Sequence, residues 1–250
     1  MATWIAHLRI AEKVFQHFPE LDEISFLYGN LAPDSGLPNE DWTQFEPPRK
    51  VTHYLDEATH VYTDLLFYAE YLDGLELKKH KNSYSFRLGY FIHLITDQFW
   101  WRKIVGTTET NNEALFSTKS RGEVFDLIKT DWYDLDHKYL RDHPGYVFWN
   151  KFFDSDIPNI SLPFLPQKAF EVQMNYIKEY YTTPDPDRVL DRSYPYLNAR
   201  ILDLFINETS QAVVRLIHLL EGGLPKDMKS SLSLLSPEES ASYYPPLGDL

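Results

Sequence analysis

The sequence predicts an all-α protein folded as one domain, a multi-helix bundle, and three observations carry that expectation. Apolar residues recur three and four apart in one segment after another. No stretch alternates apolar and polar residues over the length of a strand. The most apolar segment, 83–105, is far longer than an ordinary strand and reads as the helix at the centre of the fold.

The elements follow in order. Residues 4–18 place Ile10, Ala11, Val14 and Phe18 at helical spacing, and His7 falls on that same apolar face. After Pro19 a short helix over 21–28 ends near Gly29 and Asn30, and a polar, proline-rich loop follows over 31–50. A third helix is expected over 52–72, the central helix over 83–105, and a polar connector as far as Lys119. Helices are then expected over 121–142, 167–181 and 197–221, separated by Pro- and Asp-rich loops at 154–166 and 182–195. From Gly222 the composition turns to Ser, Pro, Lys and Glu. The expected organisation is therefore a helical domain over 1–221 and a tail over 222–250, lying on the surface or partly disordered.

Composition narrows the function. The 250 residues carry 24 Lys+Arg against 37 Asp+Glu, a net charge of −13, which opposes general coating of nucleic-acid backbones. A site reading one phosphodiester stays open, because a bound metal inverts the local field. The chain has no cysteine, so any metal must be held by histidine and carboxylate. The first residues lack a basic n-region and an apolar h-region, and no apolar run approaches the roughly 18 to 20 residues of a membrane span. These features lead to the expectation of a soluble, cytoplasmic protein; they leave the oligomeric state open.

The central segment contains His93 and Asp97, four apart and so on one face of one turn. Burying an unpaired carboxylate among apolar residues is costly. A cation shared with the imidazole is one remedy, and a hydrogen-bonded His–Asp pair stapling the core is the other. Three more residues widen the choice: His7 on its apolar face, His53 at an expected helix start, and Asp34 in a loop flanked by Pro33 and Gly36. Side chains from facing helices of a bundle converge on metals in this way. Phe99, Trp100, Trp101 and Tyr90 flank the His93–Asp97 pair and are expected either to wall a pocket or to fill the core.

Four segments, Ala6-His7-Leu-Arg-Ile-Ala-Glu-Lys, Gly29-Asn-Leu-Ala-Pro-Asp34-Ser, Thr52-His53-Tyr and Gly89-Tyr-Phe-Ile-His93-Leu-Ile-Thr-Asp97, together resemble the zinc-dependent phospholipase C family, in the right order over residues 4–105. That family includes bacterial phospholipases C and alpha-toxin catalytic domains, and its all-α fold is shared with zinc-dependent single-strand nucleases. The resemblance implies one metal held by His53, His93 and Asp97 with Asp34 beside it, and a second taking His7 and bridged by Asp97. Asp34 would touch metal and orient or deprotonate the attacking water, making it the implied catalytic residue. The implied activity is phosphoester hydrolysis by metal-activated water, with a small phosphoester or a lipid head group as substrate. Zinc is the implied cofactor, in one to three ions, and manganese, nickel or iron would accept the same ligands.

Two positions depart from the family pattern. Secreted members chelate one metal through a tryptophan at the mature N-terminus; Trp4 lies near that place, with three residues before it. The family also holds a third metal with two histidines and a glutamate, whereas Lys103 stands six residues after Asp97. Asp131, Asp134 and His137, a turn apart on an expected helix, are candidates to complete a metal shell or else an acidic solvated face. His60 and Asp64 form a further i, i+4 pair, expected to be structural or at the surface, and His17, His80, His143 and His218 are expected to bind nothing. Two other readings compete. A phosphohydrolase of the His-Asp doublet type lacks its adjacent dipeptide here, and a non-catalytic helical protein would retain only a structural metal or the fold.

Overall fold

The computed structural model describes residues 1–41, 43–56, 61–159, 162–224 and 228–242. Among the described residues the chain forms eleven α-helices and two small antiparallel hairpins, and is all-α as the periodicity predicts. Helix α1 spans Trp4–Phe15 and is started by Thr3, whose hydroxyl accepts the amide N–H of Ala6. Helix α2 spans Glu23–Leu31 behind an Asp22 cap, and a short 3-10 turn, Ala32–Asp34, carries the chain out of it.

The 52–72 expectation is corrected. Helix α3 covers only Arg49–Thr52, a hairpin of β3 (Leu55–Asp56) and β4 (Val61–Tyr62) follows, and α4 occupies Asp64–Tyr71. The break has a local cause: Tyr54 sits at φ 49°, a left-handed conformation that cannot continue a helix. The preceding 31–50 loop holds the other hairpin, β1 (Leu37–Pro38) with β2 (Phe45–Glu46). His60 lies outside the described residues.

Helix α5 runs Lys81–Trp100 and continues through a π-helical turn, Trp101–Val105. The connector expected to be polar coil folds into two short helices, α6 (Gly106–Asn111) and α7 (Glu113–Thr118). Helices α8 (Arg121–Asp142), α9 (Gln167–Thr182) and α10 (Ala199–Glu221) lie within two residues of their expected bounds. Helix α8 opens on a capping box in which Ser120 and Glu123 satisfy each other's orphan amides. Asn198 caps α10 by accepting the amide of Ile201.

Helix α5 is the axis of the core, buried on nearly every side from Ser85 to Trp100. At its far end Trp100 meets Trp132 and Phe205 edge-on, with centroids 5.1 and 5.2 Å apart. Phe99, Trp100 and Tyr90 are therefore core, and Trp101 points outward. At its near end α5 crosses α2 at unusually close range through Gly29 and Gly89. A Cβ on Gly29 would lie 2.0 Å from the Phe86 carbonyl oxygen, and one on Gly89 would lie 2.3 Å from that of Phe26.

Part of the segment after Gly222 packs inward. Leu232 and Leu235 join the core, the amide of Ser231 donates to both carboxylate oxygens of Asp64, and Ser230 donates to Gln98. Helix α11, Pro237–Ser242, lies outside this contact. Asp64 is fully buried, not a surface residue, and burial pushes its carboxyl up to about 6 despite the Ser231 bonds. A carboxyl raised on folding favours the folded state below its unfolded value, and that contribution is lost as pH rises through about 6. Asp64→Asn is expected to remove the dependence. Between pH 5 and 7.5 the wild type should lose about 1–2 kcal/mol more stability than the variant in denaturant titrations. Parallel pH profiles would refute this.

Candidate metal centre

Four elements deliver the five predicted side chains to one place. His7 comes from the buried face of α1, Asp34 from the 3-10 turn after α2, His53 from the C-cap of α3, and His93 with Asp97 from α5. His53 Nε2 lies 3.3 Å from Asp34 Oδ1, 3.6 Å from Asp97 Oδ2 and 3.4 Å from His93 Nε2. On the other side of Asp97, His7 Nε2 lies 3.4 Å from Oδ1. The His7 and His93 rings stack face to face, 3.8 Å between centroids and 4° between planes. All five side chains are at most 5 % exposed.

Hydrogen bonds set the orientation of two rings. His93 Nδ1 is 2.8 Å from the carbonyl oxygen of Asn30, which only accepts, so Nδ1 carries the proton and Nε2 turns a lone pair inward. His53 Nδ1 is 3.0 Å from the Thr52 hydroxyl, which itself donates to the Arg49 carbonyl. The hydroxyl is left as acceptor, and His53 Nε2 likewise presents a lone pair. Tyr90 anchors this corner by donating to the Thr52 carbonyl. Outer bonds of this type fix the tautomer of metal-ligating histidines.

The electrostatics agree with that geometry. Burial pushes the His93 imidazole down to about 3, and burial also lowers His53, so both are neutral near pH 7. Burial alone would raise the Asp34 carboxyl, but His93 and His53 beside it, in the protonated forms they take in acid, hold it well below the usual carboxylate range. Asp34 Oδ2 accepts the indole N–H of Trp4 at 2.9 Å. Asp97 accepts from the Ala2 amide at 2.8 Å and from Arg49 and Tyr62 at 3.3 Å each.

The donor set fits a transition metal. Both ring nitrogens of His7 and Oδ1 of Asp34 are buried without a hydrogen-bond partner, an expensive arrangement unless a cation takes the lone pairs. Two ligand groups have their atoms within coordinating reach of one another: His7, His93 and Asp97, and Asp34, His53 and His93. Nitrogen and carboxylate oxygen in such sets suit zinc.

The remaining candidates are placed elsewhere. Asp131 and Asp134 are neither a solvated face nor part of a metal group among the described residues. They are buried and held by Arg192, with Arg188 also on Asp134. His137 packs against Tyr180 and Tyr181. Lys103 is buried and ion-paired with Glu208 of α10. His143 stacks on Tyr139, and His218 pairs with Glu221 at the surface.

A pocket of about 300 Å³ opens beside the cluster, with Asp34, His53 and Arg49 at its base and Trp4, Phe45, Pro47, Tyr133 and Tyr176 among its walls. Sequence reasoning missed these walls, placing the aromatics along α5. It also missed Arg49, Tyr62 and the Asn30 carbonyl, since no spacing rule joins residues that meet only through folding. Among the described residues no helix is long and apolar enough to cross a membrane.

No curated protein and no solved structure shows significant similarity to the chain. A family model described as zinc dependent phospholipase C matches residues 6–160, more than half of the chain. That stretch contains all five cluster residues, His7, Asp34, His53, His93 and Asp97, and the chain belongs to the zinc-dependent phospholipase C family.

Proposed function

We propose that the protein is a metal-dependent phosphoester hydrolase whose metal, most simply zinc, is held by His7, Asp34, His53, His93 and Asp97. The observation that carries this reading is the buried cluster itself: inward lone pairs of His53 and His93, two carboxylates, and unpartnered atoms on His7 and Asp34. Asp97 supports two ions, since Oδ1 faces His7 while Oδ2 faces His53. Divalent metal there supplies the water activation and the neutralisation of phosphoryl oxygens on which such hydrolysis depends.

The chain's own groups supply the rest. Asp34 stands at the boundary between cluster and pocket, with Oδ2 fixed by Trp4 and Oδ1 without a partner. It is placed to orient an attacking water and take its proton, the role of a general base. The aromatic walls offer a surface for the apolar part of a substrate, consistent with a lipid head-group ester or another small phosphoester.

A structural metal without turnover is the competing reading, favoured because, among the described residues, Lys103 and the Arg192-bound aspartates stand where a third histidine–glutamate set is expected. Elemental mass spectrometry on wild type and His93→Ala, paired with hydrolysis of a chromogenic phosphodiester and of a dispersed phospholipid, tests both. The expected result is two equivalents of transition metal and measurable hydrolysis, both lost in the variant. Metal without hydrolysis of any phosphoester would favour the structural site, and no metal after reconstitution would refute both.

A further inference from the structure

Arg49 is not needed to complete either ligand group, yet its guanidinium lies directly against the cluster. It is the first residue of α3, and Nη2 reaches both Asp97 Oδ2 at 3.3 Å and the Tyr62 hydroxyl at 3.2 Å. Asp97 is wholly buried, whereas the Arg49 side chain is 46 % exposed and faces the pocket. It is the one lysine or arginine among the described residues that line that pocket.

The charges decide what such an arginine does once metal is present. Asp34 and Asp97 bring two negative charges, Arg49 brings one positive charge, and two divalent ions bring four, so 4 + 1 − 2 leaves three positive charges in surplus. The Asp97 oxygens would then face cations, and Arg49 would lose its carboxylate partner while remaining beside those cations. A guanidinium in that position is stable when an anion bridges it to the metals, and its planar fork suits a phosphoryl group.

We propose that Arg49 binds a non-bridging phosphoryl oxygen of the substrate, supplying from the protein a positive charge at phosphorus where the described residues show no third histidine–glutamate set. The inference rests on the hydrolase reading above. Arg49 acts at the phosphoryl group shared by all phosphoesters, leaving selection of the alcohol portion to the aromatic walls. Tyr62, whose hydroxyl accepts from the guanidinium, holds it beside the pocket before substrate arrives.

The test is calorimetric titration of zinc-loaded protein with inorganic phosphate, alongside zinc content, for wild type, Arg49→Met and Arg49→Lys. Arg49→Met should keep its zinc and weaken phosphate binding by roughly 10- to 100-fold. Arg49→Lys should recover part of the loss, because it keeps the charge but not the fork. Retained zinc with unchanged phosphate affinity in Arg49→Met would overturn the role of Arg49 alone. Zinc lost from Arg49→Met would also overturn it, making the residue a structural partner of Asp97. Wild type that takes up no zinc would remove the hydrolase reading and this inference together.

Discussion

Asp97→Asn is expected to strip the protein of metal and to reduce phosphoester hydrolysis by at least about 10³-fold. Asp97 is the only carboxylate of the cluster with each oxygen facing a different histidine, His7 on one side and His53 on the other. Asparagine preserves the shape but halves the acceptors and removes the charge. It would also turn an N–H₂ group either toward the Ala2 amide or toward Arg49, both of which are donors. Neither amide orientation restores the site.

The measurement is elemental analysis together with melting curves at rising zinc. Wild type should gain stability with zinc, by about 4 kcal/mol when zinc reaches a thousand times its dissociation constant, and Asp97→Asn should gain almost none. Equal zinc-induced stabilisation of the two proteins would show that Asp97 is not a ligand. A variant that melts like metal-free wild type also separates loss of metal from loss of fold.

Gly89→Ala is expected to be strongly destabilising. The added Cβ would lie 2.3 Å from the Phe26 carbonyl oxygen and 2.9 Å from the Asn30 amide nitrogen. Both obstacles are backbone within helix α2, so no side chain can rotate aside and the helices must separate. Overpacking of this type costs about 3 kcal/mol or more, which for a chain of this size lowers the melting temperature by roughly 6–12 °C. Separation would also carry the Asn30 carbonyl away from His93 Nδ1, 2.8 Å distant, and displacement of such an outer partner lowers metal affinity by roughly 10- to 100-fold. A melting temperature within about 2 °C of wild type would contradict this account of the crossing.

Gly122→Ala is the natural control. Nothing lies within 4 Å of a Cβ there, in the first turn of α8, so alanine should be tolerated or mildly stabilising.

The helices were legible because helix formation is recorded locally. The helical spacing of Ile10, Ala11 and Val14 in α1 is a property of neighbouring residues. The expected 52–72 helix failed for the converse reason. The left-handed Tyr54 is held by distant contacts, its ring against Phe67 and Phe164 and its carbonyl accepting from Thr63. Apolar spacing carries no record of them.

The same division runs through the site. His93 and Asp97 declare themselves by sharing a turn of the most apolar helix, and the absence of cysteine excludes thiolate chemistry and leaves histidine and carboxylate for any metal. Sequence likewise carries the family, whose match spans residues 6–160. Tertiary structure decided the rest: that His7 stacks on His93, that Arg192 already holds Asp131 and Asp134, and that Arg49 stands where the cluster meets the pocket. Such pairings join residues roughly 60 to 90 positions apart, and the bond of His93 to the Asn30 carbonyl depends on how closely two glycines allow α2 and α5 to approach. Periodicity reports which face of a helix is buried, whereas long-range packing determines what that face meets.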